Sequence, residues 1–361
     1  ESGRSQTQPS VSVIIAARNE DTNIASCVNA VLNQRYPRNK LEIIVVDDRS
    51  DDVTAEMVNQ FRTESNKVTL LQIRDRTPHL APKKRAIDLG IRNATGDIIV
   101  TTDADCRPGP LWIAELVKYF EPDVGMVAGF NPYRTEGSQP SLFQKMLGLD
   151  YFAMACVAAA STGLRFPISC SGGNLAYRKR LYFELGGFSK ISNWISGDDD
   201  FFLEQVRDRT DWKIRFATHP DTFVPTAPPQ NFSEFLNQRI RYASKTRHYK
   251  TAVTFGLVGI YFLNALLVVG PLFSLFSLNL LLAWIVAFGI KSLSEYAFLA
   301  KGQISLKFKW NKTAFLLAAL LHPIYVSIVA LLGQFFSFRW KGEVHSAKLY
   351  SREASTHGLN A

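Results

Sequence analysis

Charge is missing where a water-soluble chain would need it. Between Thr251 and Ile290 there is not one Asp, Glu, Lys or Arg. As helix, at about 1.5 Å per residue, that segment would run roughly 60 Å, about two crossings of a ~30 Å hydrocarbon core. A second uncharged stretch runs from Thr313 to Phe338. Helices that meet water carry charge on one face, so these stretches read as two to three membrane spans, with a buried helical core as the alternative. Gly270 and Pro271 fall where a turn between the first two spans is expected. Cysteine is also scarce: Cys27, Cys106, Cys156 and Cys170 are widely spaced and form no Cys-x-x-Cys pair. That excludes a disulfide-stapled scaffold and a four-cysteine zinc site, and fits a reducing compartment. No apolar stretch precedes the first strand, so residues 1–10 read as a polar linker rather than a signal peptide.

What charge there is has a place. The formal net charge is +9, and residues from 251 onward carry nine basic side chains against three acidic. A nucleic-acid ligand would need a basic stripe on a folded domain, so no nucleic-acid partner is expected; basic residues flanking membrane spans explain the excess. With 47% hydrophobic and 20% charged residues the chain is too apolar to be disordered.

The first 250 residues alternate strand and helix patterns. Val11–Ala16, Leu41–Val46, Val68–Ile73 and Ile98–Thr102 are short runs rich in β-branched residues, and helical spacing is read over Thr22–Leu32, Val53–Phe61 and Ala86–Arg92. Alternation of this kind implies parallel βαβ units, whose ligands bind beyond the carboxyl ends of the strands. Two strands end in acids there. Asp103 and Asp105 flank one small residue and can converge on one hard cation, Mg²⁺ or Mn²⁺, although a loop of solvated acids is the plainer alternative. Asp47 and Asp48 close an earlier strand; the alternative is a cap on the next helix.

Three further motifs follow. Asp198, Asp199 and Asp200 precede an apolar run; crowded carboxylates favour a proton-accepting or cation-adjacent role, against a solvated helix start. Gly172, Gly173 and Asn174 let backbone approach a ligand, or simply make a turn. Gln238, Arg239, Arg241 and Tyr242 lie just before the first span. Their arginines can grip a diphosphate or bind anionic headgroups, continued by Lys245, Arg247 and Lys250.

In this order the motifs resemble the family 2 glycosyltransferases, membrane-associated inverting enzymes. The resemblance covers residues 11 to about 250. It implies an α/β GT-A domain, a Rossmann-like nucleotide-sugar-binding fold, over 11–250, followed by C-terminal transmembrane helices over 251–338 and a polar tail over 339–361. It further implies that Ala17, Arg18 and Glu20 line the nucleoside pocket, that Asp47 and Asp48 read base and ribose, and that Lys83 lies near the diphosphate. Asp103 and Asp105 match the metal-binding D-x-D, Asp103 also touching the nucleotide sugar. The segment Ser171–Tyr177 matches the acceptor-side strand and turn. Aligning Asp198-Asp199 to the family's Glu-Asp pair makes Asp199 the base; a register with a second acid two residues on shifts that role to Asp198. Residues 238–242 resemble the family's Q-x-x-R-W with Tyr242 for Trp, a smaller face that weakens an inference to long processive synthesis.

The resemblance implies transfer, of the hexosyl type, from a nucleoside diphospho-sugar to a lipid, lipid-linked or glycan acceptor of the cell envelope. The protein is then integral to a bacterial inner membrane, with its catalytic domain in the cytoplasm where nucleotide sugars are made. Two spans return the chain to the basic segment Lys301–Lys312 on that side; the third segment is either broken at His322-Pro323, which would keep the tail inside, or a complete span that places Arg339 and Lys341 outside against the positive-inside tendency. Leu142–Ala160, interrupted by Lys145 and Asp150, reads as a buried helix, with a membrane-surface helix as rival. A processive synthase, a nucleotidyltransferase and a non-catalytic nucleotide-binding scaffold are the competing functions.

Overall fold

The computed structural model describes residues 3, 5–75, 80–134, 140–192, 194, 197–249, 251–336, 338–340 and 343–345. Most of the expected tail lies outside the described residues. The chain divides into two compact units, residues 1–134 with 154–227 and residues 135–153 with 228–361. The compact units meet in sequence at 227, and residues 135–153 go with the C-terminal one.

The first unit is built on one seven-stranded sheet. Its strands are β1 (Val11–Ala17), β2 (Leu41–Asp48), β3 (Val68–Ile73), β4 (Ile98–Asp103), β5 (Val124–Ala128), β6 (Leu175–Arg178) and β7 (Lys213–Phe216), in spatial order β3-β2-β1-β4-β6-β5-β7. β1 to β4 pair parallel to one another, and β6 runs antiparallel between β4 and β5. Val13, Ile14 and Ile15 are wholly buried although successive side chains point to opposite faces, as parallel strands covered on both sides require. Helix α1 (Ile24–Leu32) contributes Ile24, Cys27, Val28 and Val31 to the core on one face; helices α2 (Thr54–Glu64) and α3 (Pro82–Asn93) complete the early βαβ units. Three strands run one to two residues past their expected ends. Asp47, Asp48 and Asp103 are thus strand residues, with Ala17 paired to Asp47 on one side and Ala16 to Asp103 on the other. The strand order reverses at β1, the topological switch point where such sheets bind ligands. The capping alternative for Asp47 and Asp48 is excluded, because α2 begins only at Thr54.

Three shorter helices, α4 (Trp112–Leu116), α6 (Lys179–Glu184) and α7 (Asp200–Arg209), belong to the first unit, and α5 (Leu142–Gly163) runs across the division between the units. The second unit holds α8 (Phe232–Ser244), α9 (Thr251–Ser274), α10 (Leu278–Leu306), α11 (Lys312–Phe335) and a small hairpin of β8 (Phe338–Trp340) and β9 (Glu343–His345). Within it α11 packs along both α8 and α9. Among the described residues, four helices are long and apolar enough to cross a membrane: α5, α9, α10 and α11. Of these α5, expected as a buried helix with a membrane-surface helix as rival, meets this criterion by length and composition. The first turn between spans is not at Gly270-Pro271 but at Leu275–Ser277. Pro271 stays inside α9. It cannot donate to the carbonyl of Leu267, four residues back, and the Trp284 indole of α10 donates to that oxygen instead, at 2.9 Å. Gly270 makes the room, for a Cβ there would lie 2.4 Å from the Trp284 ring. Pro323 likewise sits within an unbroken α11, so of the two alternatives for this segment the helix is continuous at His322-Pro323. Helix α10 also continues through Lys291 and Glu295, with Lys291 donating to Glu295 at 2.8 Å and His322 of α11 lying 3.3 Å from the same ammonium.

Candidate functional site

The loops that leave β1 and β2 are tied together. Asn19 (φ +51°) and Arg49 (φ +57°) take left-handed backbone, which lets both chains turn sharply at the sheet edge. The Asn19 amide donates to Ser50 Oγ at 2.9 Å, Asn19 Oδ1 accepts from the Asp51 amide at 2.8 Å, and the Glu20 amide donates to Thr54 Oγ1 at 2.8 Å. Asp48 is buried and gripped by two guanidiniums, Arg49 at 3.0 Å and Arg85 of α3. Asp47 accepts from Ser50 Oγ, and burial, with a smaller push from Asp48, holds its pKa above the ordinary aspartate value. Ala17 is buried, while Arg18 and Glu20 are half-buried beside it. Arg85 and Ser50 are partners that no local motif announces.

At the end of β4 the acids meet a lysine. Lys83, at the start of α3, donates to Asp103 at 2.6 Å and lies 3.6 Å from Asp198. Burial works against its charge, but Asp103, Asp198 and Asp199 outweigh that and raise its pKa above the usual lysine value. Asp105 accepts from Thr226 Oγ1 at 3.1 Å, and Arg134 donates to the Asp105 carbonyl at 2.7 Å. Asp103, Asp105 and Cys106 each place one ligand atom within 4.8 Å of the others. Burial, reinforced by Asp105 and Asp103, pushes the Cys106 thiol well above its usual range. A hard cation in this donor set would be held by the two carboxylates, which are harder ligands than a thiol.

The three consecutive acids do three different things. Asp198 is buried beside Lys83. Asp199 caps α7 through the Asp200 amide at 2.8 Å and accepts from the Gly172 amide at 3.2 Å with its other oxygen. Asp200 turns inward, accepting from the Cys170 amide at 3.0 Å and Ser169 Oγ at 3.2 Å. Gly172 and Gly173 lie where these groups converge. A Cβ on Gly172 would stand 3.1 Å from Asp198, 3.4 Å from Lys83 and 3.5 Å from Asp199; one on Gly173 would stand 3.0 Å from Asp103. Side chains there would occupy the space between the acids, so backbone alone fits. Asn174, which the resemblance puts on the acceptor side, is wholly buried. Its amide accepts from the Trp112 indole at 3.0 Å and donates to the carbonyls of Phe130 and Thr222 at 3.1 and 2.8 Å, fixing the strand that carries the two glycines.

Gln238, Arg239, Arg241 and Tyr242 lie on α8 in the second unit. Arg239 is 3% exposed and ion-paired with Asp150 of α5, with its guanidinium over the rings of Phe235, Tyr242 and Tyr151. A cation so engaged ties α8 to α5. Gln238 and Arg241 are half-buried, and the Tyr242 ring carries Arg241 at 5.4 Å and Lys245 at 5.8 Å.

Comparison with known proteins agrees with this architecture. The profile of Glycosyl transferase family 2 matches residues 12–183, and that of Glycosyl transferase family group 2 matches residues 98–331. The glycosyltransferase AglE of Haloferax volcanii is 38% identical over 242 residues, covering 65% of this chain and 72% of that protein. The probable glycosyltransferase YdaM of Bacillus subtilis is 28% identical over 238 residues, covering 65% of this chain and 54% of that protein. The chain thus spans only about half the length of that relative. In fold it is similar to the mannosyltransferase PcManGT from Pyrobaculum calidifontis, solved with GDP-Man and Mn²⁺, with a TM-score of 0.57 at 21% identity over 90% of this chain and 88% of that one. The switch-point acids, the lysine that faces them and the matching profiles make this chain a member of the family 2 glycosyltransferases, with a GT-A fold.

Proposed function

We propose that the protein is a membrane-bound, inverting glycosyltransferase that moves a sugar from a nucleoside diphospho-sugar to a lipid, lipid-linked or polysaccharide acceptor. The observation that carries the reading is the convergence of Asp103, Lys83, Asp198 and Asp199 on the Gly172-Gly173 backbone at the switch point of the sheet. Asp103 and Asp105 would hold Mg²⁺ or Mn²⁺, which supplies positive charge against the diphosphate. Lys83 adds its own charge on the same side. The pocket formed by Ala17, Arg18, Glu20, Asp47 and Asp48 takes the nucleoside.

Asp199 is assigned as the base. It is half-exposed, whereas Asp198 is buried against Lys83 and Asp200 is engaged by the Cys170 segment. Its carboxylate takes the proton of an acceptor hydroxyl as that oxygen bonds to the anomeric carbon; the bond to the diphosphate oxygen breaks on the opposite face, so the sugar inverts. Gln238, Arg241 and Tyr242 serve the acceptor and diphosphate, and Arg239 supports them through Asp150. The span-length helices anchor the chain, with the catalytic unit facing the cytoplasm, in a bacterial inner membrane.

The test is metal-dependent turnover of UDP- and GDP-sugars in the presence of membrane lipid. Release of nucleoside diphosphate with a glycosylated lipid product supports the reading. Release of pyrophosphate would show a nucleotidyltransferase, absence of turnover a binding scaffold, and a long polymer a processive synthase.

A further inference from the structure

Two adjacent lysines open α3, and they face different ways. Lys83 meets Asp103 and Asp198. Lys84 is wholly buried, a rare state for an ammonium, and donates to the carbonyl of Ile191 at 2.9 Å and to that of Trp194. A buried ammonium is tolerated only with such acceptors. The Trp194 ring packs edge-on against Phe201, centroids 4.1 Å apart, and Phe201 lies in the first turn of the helix that Asp199 caps. One turn of α3 therefore contacts both halves of the site. Lys83 reaches the acid at the end of β4, and Lys84 reaches the segment that delivers Asp198 and Asp199.

We propose that Lys84 is a positioning residue for the proton-accepting acids, holding the Ile191–Trp194 segment so that Asp199 stays against the Gly172 amide. This rests on the assignment of Asp199 as the base. The donor pocket is formed by other residues, so loss of Lys84 should separate transfer from donor binding.

The experiment compares wild type with Lys84→Met and Lys84→Gln, the second retaining a neutral donor. Expected are a dissociation constant for the nucleoside diphospho-sugar within twofold of wild type, a kcat for transfer at least tenfold lower, and faster amide hydrogen exchange over Ile191–Asp199. Wild-type kcat in both variants overturns the proposal, as does a parallel loss of donor binding and transfer, which marks Lys84 as support for the whole fold. Failure of both variants to fold overturns it in the same way. Asp199→Asn is measured alongside. If that variant turns over normally the base assignment fails, whereas the exchange data still show whether Lys84 holds the segment.

Discussion

In the first unit Asp103, Asp198 and Asp199 surround the Lys83 ammonium, and Asp105 adds a further carboxylate beside Asp103. Among the described residues of the second unit, opposite charges pair within and between helices: Asp150 meets Arg239, and Lys291 meets Glu295. The difference separates two uses of buried charge. A surplus of one sign at an open sheet end is capacity for a ligand of the other sign, whereas a neutral pair inside apolar helices is complete and serves cohesion. Substitutions that empty the first set should change chemistry with little loss of fold, and those that split the second should do the reverse.

The largest effect is expected from Asp199→Asn. Transfer should fall on the order of 10³-fold, within the range for removing a general base, while titration calorimetry still finds donor binding. Wild-type turnover would remove Asp199 from that role. Next comes Asp103→Asn, or chelation of the wild type with EDTA. Both should suppress transfer by about 10² or more if the carboxylates hold the cation, with Mn²⁺ restoring the chelated wild type alone. Turnover indifferent to EDTA would leave the acid surplus to Lys83.

In the second unit, Arg239→Ala leaves the Asp150 carboxylate without its guanidinium partner. A loss of about 3–5 kcal/mol is expected for breaking a buried pair, read as a fall in thermal midpoint in detergent; an unchanged midpoint would mean that the pair contributes no cohesion. Trp284→Phe keeps the ring beside Gly270 but removes the donor to the Leu267 carbonyl, so about 1 kcal/mol should be lost. The smallest effect is at Glu42. Burial raises its pKa, but hydrogen bonds from Ser12, Thr95 and Gly96 outweigh it and hold the value below the usual glutamate range. A depressed folded pKa stabilises above the unfolded value of about 4.3, and that contribution disappears as pH falls through the folded one. Glu42→Gln should therefore be less stable than wild type at pH 7 and converge with it in acid; a gap that persists there would show that lost packing, not charge, is responsible.

Much of the first unit is legible in the amino-acid sequence because its signals are local. A run such as Val11–Ala16 must be buried on both faces, and acids at the ends of such runs fall at the mouth of a parallel sheet. Arg85, Thr226, Arg134 and Lys84 are not legible, since each meets a partner 29 to 121 positions away. The second unit departs from its local pattern for a related reason. Lys291 and Glu295 resemble the end of a span when only their neighbours are considered, but with each other and with His322, 31 positions from Lys291, they fit within one continuous helix. Pro271 resembles a turn until Trp284 takes over the carbonyl it leaves free.

Local pattern is thus enough to specify a parallel α/β sheet ahead of apolar helices, with Asp47, Asp48, Asp103 and Asp105 at strand ends. Period and hydrophobicity act within a few residues and need no partner. Long-range packing settles that Asp199 accepts from the Gly172 amide, engages Asn174 and Arg239 in the scaffold, and keeps Pro271 inside an unbroken helix. Each of those outcomes depends on a hydrogen bond or ion pair to a distant residue, and the free energy of a buried polar group is set by whether that partner arrives.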